Sequence, residues 1–476
     1  MRILAIVCLT LISQGAYSQI SFKKTYGDIG KGDYGEGITQ LSNGDYISCG
    51  NQVYQDTLAN YVGDAVIRRM DVNGNELWSI NYSDPNSAYQ DLSFYSIIKT
   101  MDGNLVIAGV SDYGFQNDYK DAYLAKINTD GDILWQHNYG GSFAQGLVKV
   151  VETSEGGLLS VGANHTATSA NSQALYAIKT DAFGNVEWVY THPDGLHPSI
   201  RHQAYSVAET PDGNYIISGK VTSTISTPEG IYAVALDNTG NLLWNNTYDY
   251  FGGQGRVVFI KNNGNILVCG WYAPNWIARP LIIELDANGV FLNDYEFNYD
   301  NTIREWAYSY YKDDFDVVTM LSFDIESNYR IIQIDNAFDI VWDRFITYDS
   351  GTAAEGHHIK KTNDNGFICT GTSIIQGDIQ AVAFKVDENG VLSTPHLSNQ
   401  LNQINIFPNP ASDLLHISIN RDAKVLRITL LDLNGKRIKQ FELFERQLDI
   451  SGISGGQYFL KVEFDNSVVT EKIIIK

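Results

Sequence analysis

Residues 121–140 read DAYLAKINTDGDILWQHNYG, and this stretch decides the fold. Its first part alternates apolar and polar residues, and a polar turn that contains Gly131 follows. A second run of β-forming residues then carries Trp135 and Tyr139. Asn, Asp and Gly are the residues that tight turns between antiparallel strands favour. The stretch therefore predicts a β-hairpin.

The same signature recurs along the chain as Asp or Asn, two residues, Gly, three residues and Trp. Four complete and three degenerate copies begin 49 to 57 residues apart, at Asp71, Asn128, Asp181, Asp237, Asp286, Asp335 and Asp387. A second marker precedes each copy, a polar turn with a short β-forming run that ends in Gly or, once, in Met320. Units of about 50 residues with four strands each are typical of propeller blades. The predicted fold class is all-β, a seven-bladed β-propeller followed by a small C-terminal β-sandwich.

The seventh copy lacks the last strand of its unit, because no Trp or Tyr follows Gly390. Residues 22–27, FKKTYG, match residues 135–140, WQHNYG, position for position. We therefore expect the N-terminal strand to complete the last blade, beside the strand after Val386, and to remove two open sheet edges.

Export is predicted by the first residues. Arg2, an apolar run over residues 3–12 and Ala-Tyr-Ser at 16–18 are typical of a signal peptide, residues 1–18. The propeller is predicted over 19–397, and no transmembrane anchor is expected. A net charge of −22 argues against nucleic acid as a partner, because phosphate binding needs clustered Lys and Arg. Cys49, Cys269 and Cys369 are expected as buried thiols.

After a linker at 398–404, residues 405–476 show a different pattern. It comprises Pro-Asn-Pro at 408–410, an Asp432-x-x-Gly-Lys turn, a Gly-x-Tyr strand at 456–458 and a Lys-Ile-Ile-rich terminus. Together these motifs resemble the C-terminal sorting domain of type IX secretion. The resemblance implies the type IX machinery as a partner and a protein that is secreted or attached to the outer cell surface. The body resembles secreted bacterial propeller repeats, which imply no particular chemistry.

Candidate ligand residues come from the repeat register. In a propeller, the start of each first strand lines the mouth of the central channel. Counting eight residues back from the turn before the second strand gives Glu36, Tyr95, Val148, Tyr205, Arg256, Trp306 and His357. Trp271, Tyr272 and Trp276 follow the marker Gly of the fifth unit and break the repeat. They either cover a neighbouring blade or form an aromatic surface for a sugar or peptide.

No nucleophile elbow, zinc-protease motif or phosphate-binding loop is present, and neither a catalytic residue, a cofactor nor a metal site is predicted. The favoured function is a non-catalytic binding module for a glycan, peptide or partner protein. The alternative is a polysaccharide hydrolase or lyase with its site at the channel mouth, since paired carboxylates can come from distant blades. A third possibility is a spacer that adheres through multivalent display.

Overall fold

The computed structural model of the chain describes residues 21–28, 30–55, 61–82, 92–112, 120–140, 144–165, 173–192, 200–223, 230–297, 304–324, 328–347, 351–375, 377–392, 404–419, 425–432, 436–441, 447–464 and 468–476. The predicted signal peptide and most of the predicted linker lie outside them. The chain divides into two compact units, Met1–Ser393 and Thr394–Lys476. The regular structure of both units is almost entirely strand, which confirms the all-β class.

In the described part of the first unit, the strands form seven four-stranded antiparallel groups, here called sheets 1 to 7. Sheet 1 comprises β2 (Gly32–Gln40), β3 (Tyr46–Gln55), β4 (Tyr61–Met70) and β5 (Glu76–Tyr82). Sheet 2 comprises β6 (Leu92–Lys99), β7 (Leu105–Asp112), β8 (Lys120–Ile127) and β9 (Ile133–Tyr139). Sheet 3 comprises β10 (Gln145–Glu152), β11 (Leu158–His165), β12 (Gln173–Thr180) and β13 (Val186–Thr191). Sheet 4 comprises β14 (Ile200–Glu209), β15 (Tyr215–Ser223), β16 (Gly230–Leu236) and β17 (Leu242–Tyr248). Sheet 5 comprises β18 (Gln254–Ile260), β19 (Ile266–Tyr272), β20 (Arg279–Leu285) and β21 (Phe291–Glu296). Sheet 6 comprises β22 (Glu305–Lys312), β23 (Val318–Asp324), β24 (Asn328–Ile334) and β25 (Ile340–Thr347). Sheet 7 comprises β26 (Gly351–Lys361), β27 (Phe367–Ile375), β28 (Asp378–Val386) and β1 (Phe22–Tyr26). One parallel bridge between Gln173 and Arg201 joins sheets 3 and 4.

The first strands of the seven sheets contact one another in a cycle. The contacts run from β2 to β6, β10, β14, β18, β22 and β26 in turn, and β26 contacts β2 again. Apolar cores fill the spaces between neighbouring sheets, as where Ile47 of sheet 1 packs with Phe94 of sheet 2. Cys49, Cys269 and Cys369 are free and buried in these cores, as predicted.

The N-terminal strand completes sheet 7. β1 pairs antiparallel with β28, with Phe22 opposite Lys385 and Tyr26 opposite Ala381. The expectation that this strand closes the last unit is therefore confirmed, but its partner is the strand that ends at Val386 rather than one that follows it. In sheets 1 to 6 the third strand pairs with the fourth strand, which bears the Trp in all but sheet 5, and β1 takes the place of the fourth strand in sheet 7.

The recurrent Gly, Trp and Tyr hold neighbouring sheets together. The hydroxyls of Tyr82, Tyr139 and Tyr248 each donate to the carbonyl of the turn glycine in the next sheet, at 2.5–2.7 Å. At Gly289 φ is +77°, and an added Cβ would lie 2.7 Å from the Trp244 ring. The turn therefore needs glycine both for its left-handed backbone and for the close approach of the tryptophan. This contact explains why the two parts of the signature recur together.

The interface between sheets 5 and 6 is built differently. Asn293 replaces the Trp of β21, and Phe338 replaces the turn glycine of sheet 6. Phe338 has φ +68° and stacks on Tyr295, with ring centroids 3.6 Å apart. At this interface the turn of sheet 6, rather than the Trp position of β21, supplies the aromatic ring that packs between the sheets. The left-handed backbone of Phe338 is strained as a result.

The second unit contains two sheets that share one apolar core, which includes Leu415, Ile428, Leu460 and Ile473. Their strands are β29 (Ile404–Phe407), β30 (Leu414–Ile419) and β33 (Gln447–Asp449), and β31 (Val425–Leu431), β32 (Arg437–Phe441), β34 (Gly456–Phe464) and β35 (Val468–Ile475). Asn409, between the two prolines, bonds the backbone of the last strand twice, at Lys472 O (2.9 Å) and Ile474 N (2.8 Å). The Pro-Asn-Pro motif is therefore attached directly to the chain terminus.

Candidate functional site

Every first strand of the first unit contains a β-bulge at the same place. The bulge lies five residues before the first residue of the turn to the second strand, and eight before the turn residue with positive φ. The residue in the bulge has no partner on the neighbouring strand, because the pairing register skips it. Bulges of this kind redirect a side chain out of the ladder. The seven bulge residues are Glu36, Tyr95, Val148, Tyr205, Arg256, Tyr308 and His357.

All seven bulge residues line one cavity of about 290 Å³, here called the central cavity. The register predicted six of them, but it gave Trp306 where the structure has Tyr308. Trp306 pairs with Phe323 in the ladder and stacks on its ring at 5.8 Å. The count failed because the turn of sheet 6 places Asp316, at φ +61°, where five other sheets have glycine. An aspartate tolerates this left-handed backbone, so the position was not marked in the sequence.

In four of the seven sheets, the residue after the bulge makes a polar contact with the next first strand. The hydroxyls of Ser96, Ser206 and Ser309 each accept a hydrogen bond from a backbone N–H of the next first strand, at 3.0–3.4 Å. In sheet 7 this position is His358, whose Nδ1 lies 3.2 Å from the backbone N of Ile38. The same Nδ1 lies 3.1 Å from the carbonyl oxygen of Ile38, and burial lowers the pKa of His358 well below its usual value, so the ring is neutral.

Arg256 lies between two tyrosines on the cavity wall. The carbon of its guanidinium is 4.4 Å from the ring centroid of Tyr205 and 4.2 Å from that of Tyr308. Its Nη1 is 3.5 Å from the Gln254 side-chain oxygen, and its buried Nε has no hydrogen-bond partner among the described residues. The two aromatic faces hold the charge in place without neutralising it.

His357 lies between two carboxylates. Its Nδ1 is 2.7 Å from Glu36, and its Nε2 is 3.2 Å from Glu355. Burial alone would lower the pKa of His357, but the two carboxylates override burial and raise the pKa to about 9. The hydrogen bond from His357 and the charges of His357 and Arg256 lower the pKa of Glu355. His357 is therefore a cation at neutral pH, and Glu355 is an anion.

Lys149 is a further cation on the wall of the central cavity. Burial, together with the charge of Lys360, lowers the pKa of Lys149 to about 8. Neither Lys149, Glu355 nor Tyr308 was predicted as a site residue. A signal for Tyr308 was available, because it stands five residues before the turn like its six counterparts.

The three predicted aromatic residues of sheet 5 separate into two environments. Trp271 is half-buried, and its Nε1 has no hydrogen-bond partner in the described part of the chain. Tyr272 packs edge-on against Tyr250 at 5.4 Å and donates a hydrogen bond to Glu296. Trp276 is 72% exposed. Trp271 and Tyr272 are thus packed into the sheet, whereas Trp276 lies on the surface.

Trp276 ends a single 3-10 turn, Pro274–Trp276, and has φ +66°. Its ring contacts Phe251 edge-on at 5.3 Å, and Phe251 is itself 49% exposed. Neither ring is a member of an apolar core. A bulky residue in left-handed backbone is strained, and such strain concentrates at ligand sites.

Residues 405–476 match the family described as secretion system C-terminal sorting domain. The tail is a type IX sorting domain. It marks the protein for export through type IX secretion to the cell surface or beyond. No helix in the described residues is long and apolar enough to cross a membrane.

A search of the curated proteins gives no match. Solved structures similar in fold include an α-L-arabinanase of Penicillium chrysogenum in complex with arabinobiose, at 12% identity and a TM-score of 0.47 over 78% of this chain and 99% of that one. Virginiamycin B lyase of Staphylococcus aureus with quinupristin is similar at 14% identity and a TM-score of 0.39, over 70% and 94% of the two chains. The polysaccharide lyase Uly1 is similar at 9% identity and a TM-score of 0.45, over 74% and 90%.

Proposed function

We propose that the mature protein, without residues 1–18, is an exported seven-bladed β-propeller that binds an extracellular glycan, peptide or partner protein in its central cavity. Seven four-stranded sheets with cyclic contacts between their first strands support the propeller. Two sheets around one core support a C-terminal sandwich over residues 405–476. One observation carries the binding function. Each sheet contributes one unpaired residue to the same cavity, and together these residues present three tyrosines, one carboxylate, two cations and one valine.

The charge states at the central cavity favour binding over the hydrolase alternative. A glycosidase needs a carboxyl group that is protonated at working pH and can donate to the leaving group. The pKa of Glu355 is lowered instead. Glu36 and Glu355 are also both engaged by one imidazole, so neither faces a substrate alone.

The lyase alternative needs a base close to the substrate. His357 would have to be neutral to act as one, but its pKa of about 9 keeps the ring protonated at neutral pH. A lyase that used His357 would therefore gain activity only as the pH rises toward 9. Both ring nitrogens of His357 are already engaged by Glu36 and Glu355, so the histidine holds these carboxylates in place rather than acting on a substrate.

The test is a glycan and peptide array combined with a polysaccharide depolymerisation assay on the mature protein. Tyr205→Ala removes one face of the Arg256 stack. Tyr54→Ala is the matched control, because it removes a tyrosine near the end of β3 that faces the Lys31 cation outside the cavity lining. We expect array binding that Tyr205→Ala weakens and Tyr54→Ala leaves intact, with no depolymerisation. Depolymerisation that Tyr205→Ala abolishes would establish the enzymatic alternative instead.

A further inference from the structure

The central cavity is rich in cations although the protein is strongly acidic. The chain contains 55 Asp and Glu against 33 Lys and Arg. The cavity nevertheless brings together Arg256, Lys149 and the protonated His357 against two carboxylates, Glu36 and Glu355. A concave site with an excess of one charge focuses its field on a ligand of the opposite sign.

Arg256 differs from the other enclosed arginines. Arg68, Arg69, Arg279 and Arg330 each form an ion pair with a carboxylate, at 2.6–3.4 Å. No carboxylate oxygen of a described residue lies within 4.0 Å of the Arg256 guanidinium nitrogens. Enclosing a charge without a partner is costly, so a folded protein retains such a group where a ligand neutralises it.

Lys149 gives the same indication independently. No described carboxylate pairs with its ammonium group, and Lys360, which is also without an ion pair among the described residues, adds a like charge. Both effects disfavour the charged form. Lys149 lies on the wall of the same cavity as Arg256, so an anion bound in this cavity would offset both effects.

Neither of the two acids of the cavity, Glu36 and Glu355, forms an ion pair with Arg256. Glu36 and Glu355 are both hydrogen-bonded to His357, which joins them into one group. Glu355 influences Arg256 through its charge but does not contact it. The guanidinium therefore keeps donors available for another partner.

We propose that the ligand of the central cavity carries a negatively charged oxyanion, a carboxylate, sulfate or phosphate, that Arg256 binds between Tyr205 and Tyr308 with Lys149 as the second cation. This proposal rests on the proposed binding function and specifies its ligand class. The planar guanidinium matches the geometry of an oxyanion and can donate two parallel hydrogen bonds. The tyrosine faces fix its plane, which reduces the entropy lost when the anion binds.

The test uses the full mature protein and four probes, inorganic sulfate, inorganic phosphate, galacturonate and neutral galactose. Thermal unfolding and isothermal titration calorimetry are measured at constant ionic strength, with sodium chloride as the reference. We expect at least one anion to raise the melting temperature while galactose does not. A preference for galacturonate over the inorganic ions indicates an acidic sugar, and the reverse indicates a free or ester anion.

Arg256→Gln should weaken anion binding by roughly tenfold or more, because a charged hydrogen-bond donor is lost. Arg256→Lys should recover only part of the affinity, because lysine keeps the positive charge but lacks the two parallel N–H donors of the guanidinium. Arg279→Gln, whose guanidinium pairs with Glu296 outside the cavity lining, is the control and should bind as the wild type does. Should Arg256→Gln fail to fold, Lys149→Gln takes its place with the same expected loss.

Two results overturn the proposal and can be told apart. If galactose binds as well as the anions, and its binding survives Arg256→Gln but not Tyr205→Ala, the ligand is neutral and the binding function stands. If none of the four probes binds and array ligands are insensitive to Tyr205→Ala, both proposals fail.

Discussion

The hydroxyl of Tyr26 donates a hydrogen bond to the carbonyl oxygen of Gly74 at 2.7 Å, and these residues lie 48 positions apart in the chain. Tyr26 ends the N-terminal strand, which completes sheet 7, whereas Gly74 is the turn glycine of sheet 1. Tyr139 and Gly184 make the same contact between sheets 2 and 3. The last and first sheets are thus joined by the contact that joins neighbours elsewhere in the cycle.

Tyr26→Phe should lower the free energy of unfolding by about 1 kcal/mol, the usual net value of one hydrogen bond. Tyr139→Phe is the matched control inside the cycle and should cost a similar amount. Urea denaturation of both variants measures this. A loss for Tyr139→Phe with none for Tyr26→Phe would mean that sheets 7 and 1 are not joined in solution.

The stack of Phe338 on Tyr295 predicts a coupled pair of substitutions. Phe338→Gly relieves a strained φ but removes the ring contact, and we expect a net destabilisation of about 1–2 kcal/mol. Adding Asn293→Trp should recover much of this loss, because it restores the Trp-on-glycine contact seen between Trp244 and Gly289. A double-mutant cycle measures the coupling. Strictly additive effects would show that the two arrangements are not equivalent.

The exposure of Trp276 predicts that its removal lowers stability far less than removal of a packed tryptophan does. Trp276→Ala should change the unfolding free energy by less than about 1 kcal/mol, whereas Trp244→Ala should cost about 3–5 kcal/mol, because Trp244 packs on Gly289. If the Trp276 surface takes part in binding, affinity falls by about 1–2 kcal/mol in the first variant only. Equal destabilisation by the two substitutions would identify Trp276 as a packing residue.

The histidine of the central cavity predicts a pH dependence of stability. The pKa of His357 is raised from 6.5 to about 9 in the folded protein. Its contribution is therefore complete below pH 6.5 and is lost as the pH rises through 9, by up to about 3 kcal/mol. The groups that face it are Glu36, Glu355 and Tyr308, with Lys149 and Arg256 on the same cavity wall.

His357→Gln should remove this dependence, so the difference in stability between wild type and variant should shrink between pH 6.5 and 9. Denaturation at several pH values in this window measures it. The pKa of Lys149 is lowered to about 8 by burial and by the charge of Lys360, and the substitution removes neither cause, so the difference isolates the histidine. A difference that stays constant across the window would contradict the assigned charge state.

The sequence predicted the fold where local signals repeat and missed what depends on contacts between distant residues. Gly131, Trp135 and Tyr139 mark a hairpin by their chemistry alone, and six of the cavity positions follow from their spacing to a turn. Tyr308 was missed because Asp316 holds a backbone conformation that glycine marks elsewhere. The loss of Trp at Asn293 and the gain of an aromatic ring at Phe338 lie in two different sheets, so the sequence around either residue does not show that the two changes belong to one interface.

The contacts and charge states of the cavity residues could not be predicted from the sequence either. Whether Glu355 pairs with His357 depends on how the bulge turns one strand, and a spacing rule carries no such information. The same holds for Arg256, because the structure of the described residues is needed to see that no carboxylate among them pairs with it.

The common position of the seven bulges has a consequence for how this protein can change. A residue outside the pairing ladder can be exchanged without breaking a cross-strand pair, so the hydrogen-bond ladder of its sheet does not constrain its identity. The residues that hold the sheets together lie elsewhere, at the turn glycines and the outer aromatic rings. New ligand specificities could therefore arise at seven positions by single substitutions while the scaffold stays as it is. A library randomised at those positions alone would sample many recognition surfaces on one unchanged framework.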